Sequence, residues 1–325
     1  MLLKFTFEDF FDARRYKAFS CIIKAQCRKS KRGPKYTQGG NRMRRIILST
    51  ESGADVPSDL AEKYDVQIVP MHIIMDGKDY LDGYLPVQDI YDYYGRTKKI
   101  PSTTSTNAHE YQEFFANIRE SFPDCIIVHI GYTSKASSSF QNAVIAAEEF
   151  EGIFLIDALN VTGGLAAIVL YAAELLEKEP SIEPEHLVEK IEAIVPKSRL
   201  VFIPGSLEFL KAGGRVSNMA SLIGTLLKIK PCIELKDGKL MSTKKYRGNM
   251  SGATEKLFSD YLNTYNIDRK QLYFIYSIGF DERIRQRMDE IAKENGFHNI
   301  RWIQAGGMIS THSGAGGFGV AGLEQ

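Results

Sequence analysis

Cysteine and tryptophan are scarce in this sequence, with four cysteines and one tryptophan in 325 residues. Cys21 and Cys27 fall within the first 42 residues, which leaves Cys125 and Cys232 far apart with no Cys-x-x-Cys pair. A disulfide framework is thereby excluded, and two isolated thiols fit a reducing, cytoplasmic setting. His129 follows Cys125 by four residues on an apolar run with no further ligands nearby, so neither zinc nor any other metal site is expected. Long apolar runs are also missing. The longest, Gly163 to Leu176, contains a tyrosine and a glutamate and is shorter than the roughly 20 residues of a membrane span. No integral membrane segment is expected.

Neither sign of charge dominates, since 41 Lys and Arg face 40 Asp and Glu. The balance conceals an asymmetry. Residues 1–42 hold eleven basic side chains against Glu8, Asp9 and Asp12, a net +8, so the remainder carries −7. An acidic body gives no case for nucleic acid, whose partners carry a basic face. Charges interrupt the leader throughout, so it lacks the apolar core of a secretory signal. Met43 stands directly before a clean strand and is expected to be the functional start, with 1–42 a basic leader outside the functional protein.

Several catalytic signatures are absent too. There is no P-loop, no H-E-x-x-H and no G-x-S-x-G elbow. Gly314-Ala315-Gly316-Gly317-Phe318-Gly319 satisfies G-x-G-x-x-G, but the chain ends six residues later, without the helix and the acidic residue a dinucleotide site requires. No cofactor is expected. The glycines read instead as positions of close backbone approach.

What is present is strand–helix alternation. Apolar runs at Ile46–Thr50, Val66–Met75, Cys125–Gly131 and Gly152–Asp157 read as strands. Helices are expected at Pro57–Tyr64 with Asp55 as cap, Val87–Tyr94, His109–Glu120, Ser139–Phe150 and Gly164–Glu177. The fold class is α/β, with buried strands in a parallel sheet covered by helices on both faces. After about residue 195 the texture changes. Pro231–Leu235 and Lys239–Lys245 flank Asp237-Gly238, a hairpin signal, so a second α/β domain with a mixed sheet is expected. Its other elements are strands Leu200–Pro204, Gln271–Gly279 and Ile300–Ile309, a segment Ser206–Lys211 before a Gly-Gly-Arg turn, and helices Pro184–Ile194, Ala220–Leu227, Ala253–Tyr265 and Glu282–Asn295. The domains are placed at 43–195 and 196–325.

Four segments rich in hydroxyls follow or precede these elements, at Ser49–Gly53, Pro101–Asn107, Thr133–Ser139 and Asp157–Gly164. Any one serves equally well as a helix cap, and Ser138 with Gln141 matches a capping box. Together on the carboxyl edge of one sheet they suit an anion. Of six histidines, His72 and His129 read as core and His109, His186 and His298 as surface. His312 stands beside glycines at an expected strand end, where an imidazole can donate to an anion or act as a base.

In order, these segments resemble the DegV family of bacterial fatty-acid-binding proteins, from about Met43 to Val320. The family's T-D-S-x-x-D-L-P is similar to Thr50-Glu51-Ser52-Gly53-Ala54-Asp55-Val56-Pro57, its P-x-T-S-Q-P-S to Pro101 through Asn107, and its S-G-T-Y-Q-S-A to Ser137 through Ala143. The most specific match is Leu207 through Ser217, followed by Lys228-Ile229-Lys230-Pro231 and an ending at Gly307–Gly316. The resemblance implies a long-chain fatty acid between two α/β domains. Thr103 and Ser137, with Thr104 and Ser138 beside them, would take its carboxylate, and His312 would support that network. It also implies a separate fatty acid kinase, with a dihydroxyacetone-kinase-like domain, that makes acyl phosphate for phospholipid synthesis, the carrier itself having no active site. Glu51 stands in place of Asp, Ser138 of a glycine, Ala158 of a serine and Ala315 of a proline, and Thr104-Ser105-Thr106 in place of S-Q-P, changes that crowd the carboxylate end.

Two further expectations concern surfaces and walls. Helix 220–227 is a candidate wall for the acyl tail, and Arg215, aimed by Gly213-Gly214, is a candidate docking residue for the kinase. The competing reading is an acyl-ester hydrolase or transferase that uses His312 and a serine.

Overall fold

A computed structural model of the protein describes residues 44–218 and 229–325. The basic leader and the expected tail-wall helix 220–227 lie outside the described residues.

The chain enters on β1 (Ile46–Glu51), passes a 3-10 turn at Ser52–Ala54, and continues through α1 (Ser58–Tyr64) into β2 (Gln67–Val69). The run 66–75, expected as one strand, is two. Pro70 lacks the N–H a ladder needs, so β2 ends there and the chain turns into a different sheet as β3 (His72–Met75). β3 pairs antiparallel with β4 (Lys78–Leu81) across the Asp76-Gly77 turn, and with β5 (Ser102–Thr104) on its other side. Between β4 and β5 lies α2 (Val87–Thr97). Segment 101–107 therefore reaches the site from a small antiparallel sheet, not from the parallel sheet's edge.

Next come α3 (Ala108–Ser121), β6 (Ile126–Gly131), α4 (Ser139–Ala147), β7 (Ile153–Asp157) and α5 (Thr162–Lys178). The first sheet has the order β2-β1-β6-β7 and is parallel throughout. All six β6 residues are buried, which explains its unbroken apolar sequence. Alternate residues face opposite ways: Ile47 and Ile127 meet Tyr111 and Phe115 of α3, while Leu48, Val128 and Ile130 meet α5.

The second half runs through α6 (Pro184–Ile194), β8 (Ser198–Ile203), α7 (Leu207–Gly213), β9 (Ile229–Lys236), β10 (Lys239–Arg247), α8 (Met250–Thr264), β11 (Leu272–Tyr276), α9 (Glu282–Glu294), β12 (Ile300–Gln304), α10 (Gly307–Ser313) and β13 (Phe318–Leu323). Its mixed sheet has the order β10-β9-β8-β13-β11-β12, with Asp237 and Gly238 both left-handed in the β9–β10 turn. The fold class read from the sequence is the one observed. The last strand, β13, was not anticipated. Its glycines let it lie centrally between β8 and β11, all but its last residue buried.

α5 is the shared core element. It packs on β1 and β6 of the parallel sheet and on β8, β11 and β13 of the mixed sheet. Gly163 permits that approach, because a Cβ there would stand 2.5 Å from Ile275 Cδ1. The far face of the mixed sheet is covered by α8 and α9 through Leu257, Phe258 and Met288.

Two local expectations are corrected. Strand 300–309 stops at Gln304, after which Ser310 and Thr311 bond back to the carbonyls of Ala305 and Gly307 and close the short helix α10. His312 is thus in a helix's last turn and not at a strand end. Asp55 does not cap α1. It ends the 3-10 turn with φ 52° and sends its carboxylate elsewhere.

Candidate functional site

Between the loops of the parallel sheet and the inner face of the mixed sheet lies a cavity. Its walls are chiefly apolar, with Val161 just before α5, Leu200, Ile275 and Phe318 from the mixed sheet, and Met308 and Ile309 from α10. Polar groups converge at few points, among them His312 and Arg215.

His312 is held by the packing of α10 on α7, α2, β3 and β5. Its Nε2 lies 2.8 Å from Thr103 Oγ1, a contact between residues 209 positions apart. Its Nδ1 is buried without a hydrogen-bond partner. Gly213 makes room for the ring, since a Cβ there would stand 2.2 Å from Nδ1. Burial, with the Arg215 charge second, pushes the imidazole down to about 4, so the ring is neutral near neutral pH. The Thr103 hydroxyl can donate to Nε2 or accept from it, and when it donates the single ring proton sits on Nδ1 as a free donor. Arg215 donates from Nη1 to Gly213 O at 2.6 Å, and is exposed on its outer side.

The remaining expected residues divide clearly. Along β5, Thr103 is buried whereas Ser102 and Thr104 are exposed on the other face, as strand alternation requires. Ser137 is half-buried and its Oγ accepts the Ser139 N–H at 3.2 Å. Ser138 is exposed, 2.8 Å from Ser105 Oγ, and makes no side-chain cap. The capping box of this region is instead Asn107 with Glu110, at the start of α3. The structure therefore joins Thr103 to His312 directly and places Thr104 away from it. A hydrolytic His–Ser pair would need a serine hydroxyl on the imidazole, and the ring's hydrogen bond goes to Thr103. Among the described residues no group of three or more acidic, His or Cys side chains is arranged to hold a metal ion, and no helix is long and apolar enough to cross a membrane.

Behind the cavity wall is a buried polar network that the sequence reading passed over. Glu51 is fully buried. It accepts the Tyr111 hydroxyl and the Tyr132 N–H, both at 2.8 Å, and stands 3.6 Å from His129 Nε2. Tyr111 is also 2.9 Å from Ser139 Oγ, at the first residue of α4. Burial alone would raise the Glu51 carboxyl, but His129 and these hydrogen bonds hold it below its ordinary value. Glu51 thus fixes Tyr132, a cavity residue, and the start of α4 just after Ser137 and Ser138. An acidic residue at the end of a buried strand was the available signal.

A family model described as "Uncharacterised protein, DegV family" matches residues 45–325. A DegV domain-containing protein of Caldanaerobacter subterraneus is 32% identical over 284 residues, which is 86% of this chain and 98% of that protein. A Thermotoga maritima protein named fatty acid-binding protein is 26% identical over 292 residues, 86% of this chain and 99% of its own. The solved structure described as fatty acid binding of a DegV family protein from Thermus thermophilus matches with a TM-score of 0.77 at 24% identity. It covers 86% of this chain and 100% of that one, a likeness of fold. With a family model spanning nearly all the described residues and a relative this similar along almost its whole length, the chain belongs to the DegV family.

Proposed function

We propose that the protein is a cytoplasmic carrier that holds one long-chain fatty acid between its 43–195 and 196–325 halves and presents the carboxylate to a separate fatty acid kinase. The observation that carries this reading is an apolar cavity bordered by a neutral histidine whose Nδ1 has no partner among the described residues. The fatty-acid-binding name of the Thermotoga maritima relative supports it. Burying about 15 methylenes at roughly 0.8 kcal/mol each gives an upper bound near 12 kcal/mol before ordering costs, so the tail supplies affinity. His312 and Thr103, with Ser137 and Ser138 on the adjoining loop, fix the head group. Arg215, exposed outside and bordering the cavity inside, meets an acidic surface of the kinase through its planar guanidinium. The chain then contributes binding and delivery, and the kinase the chemistry of acyl phosphate formation.

Native mass spectrometry of gently purified protein tests the reading, with a co-purified fatty acid that is not turned over as the expected result. An empty cavity together with burst hydrolysis of activated acyl esters would replace it with the hydrolase reading. In a reconstituted pair, Arg215→Ala is expected to retain lipid but slow acyl phosphate formation, the defect growing at low salt. Normal kinetics would remove Arg215 from the docking surface.

A further inference from the structure

A half-buried carboxyl, Asp55, and a buried one, Asp82, stand behind the cavity without lining it. Asp55 follows the 3-10 turn after β1, and Asp82 follows β4 with 3% of its surface exposed. Asp82 Oδ1 has no hydrogen-bond partner. Both border a cleft on the other side of the wall. Asp55 Oδ1 accepts the N–H of Gly306, which caps α10, at 2.9 Å. Its Oδ2 accepts the hydroxyl of Thr162, the first residue of α5, at 2.6 Å. One side chain therefore ties together two helices that both carry cavity residues, Thr162 on α5 and Met308 and His312 on α10.

The backbone is strained at both ends of the shorter bond. Asp55 has φ 52° and Thr162 has φ 40°. A β-branched residue in the left-handed region is rare and persists only where its surroundings hold it there. Thr162, bonded to Asp55 across 107 positions, thus marks a contact that the fold sustains against its local cost.

We propose that Asp55 is a positioning residue for lipid retention, its carboxyl clasping α5 to α10 so that His312 is held in the cavity wall. The inference rests on the carrier reading above. The clasp is also sensitive to protonation. Burial pushes the Asp55 carboxyl up to about 8 against the pull of the Thr162 and Gly306 hydrogen bonds, and the Asp82 charge adds to the rise. Burial raises Asp82 as well. The other charged or titratable groups around the clasp are Tyr132 at the end of β6, Asp59 of α1 paired at 2.9 Å with Arg301 of β12, and His312 at the far end of α10. Near neutral pH Asp55 is protonated, with Thr162 and Gly306 each donating to one of its oxygens. Once Asp55 ionises it faces the Asp82 carboxylate, and the repulsion loosens α10.

Trp302 is the chain's single tryptophan and borders the same cleft, so its emission reports the clasp without lipid. In the full chain, emission is expected to change with a midpoint near pH 8. The off-rate of the fluorescent fatty acid cis-parinaric acid should rise about fivefold between about pH 7 and pH 9, the worth of one ordinary hydrogen bond. Asp55→Asn keeps an acceptor but no titrating proton and should flatten both curves. Asp82→Asn should move the midpoint down. Should Asp55→Asn fail to fold, Thr162→Val, which removes the donor alone, is expected to speed probe release at neutral pH. An Asp55→Asn protein that follows the wild-type curve in both readouts, or a Thr162→Val protein that releases probe at the wild-type rate, overturns the clasp. Wild-type protein that takes up no probe at any pH sinks the carrier reading instead, and Trp302 emission then still decides whether Asp55 titrates as a clasp.

Discussion

Replacing Gly213 with alanine adds one methyl group where α7 meets the imidazole of His312. The new Cβ would stand 2.2 Å from Nδ1, whereas carbon contacts are comfortable near about 3.5–4.0 Å. The ring must move by more than about 1 Å to relieve that overlap, and the 2.8 Å bond to Thr103 cannot survive such a shift. The losses are one neutral hydrogen bond, about 0.5–1.5 kcal/mol, and one to a carboxylate, about 1.5–3 kcal/mol. Together they amount to about 2–4 kcal/mol, or a roughly 30- to 1,000-fold weaker Kd for a long-chain fatty acid. Global stability should change much less. Overpacking costs about 1–3 kcal/mol, and alanine in place of a helical glycine returns up to about 1 kcal/mol. Gly214→Ala is the control. Its φ of 65° makes alanine strained, but nothing lies within 4 Å of the added Cβ, so it should lower thermal stability and leave lipid binding unchanged. Fluorescent fatty acid titration alongside thermal unfolding separates the two. In the double variant Gly213→Ala with His312→Ala, the methyl group has no ring to strike, so binding should match His312→Ala alone. Wild-type affinity in Gly213→Ala, or additive losses in the double variant, would refute the placement of the imidazole.

Two further expectations follow from neighbouring residues. Thr103→Val should weaken fatty acid binding about fivefold by removing one hydrogen bond, while Thr104→Val, on the exposed face of β5, should leave titration curves unchanged. Equal effects from both would mean that β5 alternation does not select the contact. Glu51→Gln breaks a buried charged network and should cost about 3 kcal/mol of unfolding free energy at neutral pH, measured by urea denaturation. The folded Glu51 carboxyl lies below 4.5. Its contribution is therefore complete above the unfolded value and is lost as pH falls through the lower folded one. The difference between wild type and variant should accordingly shrink in acid, and a constant difference down to low pH would contradict the assignment.

The sequence by itself determined whatever depends on period and local chemistry. Six consecutive buried positions in β6 require a continuous apolar run, and that run was visible. Asp237-Gly238 fixed the β9–β10 hairpin, because both residues must adopt left-handed backbone. The spacing of hydroxyls and His312 singled out Thr103 and His312, which the structure brings within 2.8 Å of each other. Three things waited for the tertiary structure. The strand expected to run on to Ile309 stops at Gln304, and backbone bonds such as Ser310 N–H to Gly306 O make Gly307–Ser313 helical. Asp55 reads as a local helix cap, and its partners are Thr162 and Gly306, more than 100 positions away. The role of Gly213 depends on a ring 99 positions along the chain. Local pattern encodes which face of an element is buried. Which two buried faces meet, and which polar atom is left without a partner between them, is set by long-range packing that no window of sequence contains.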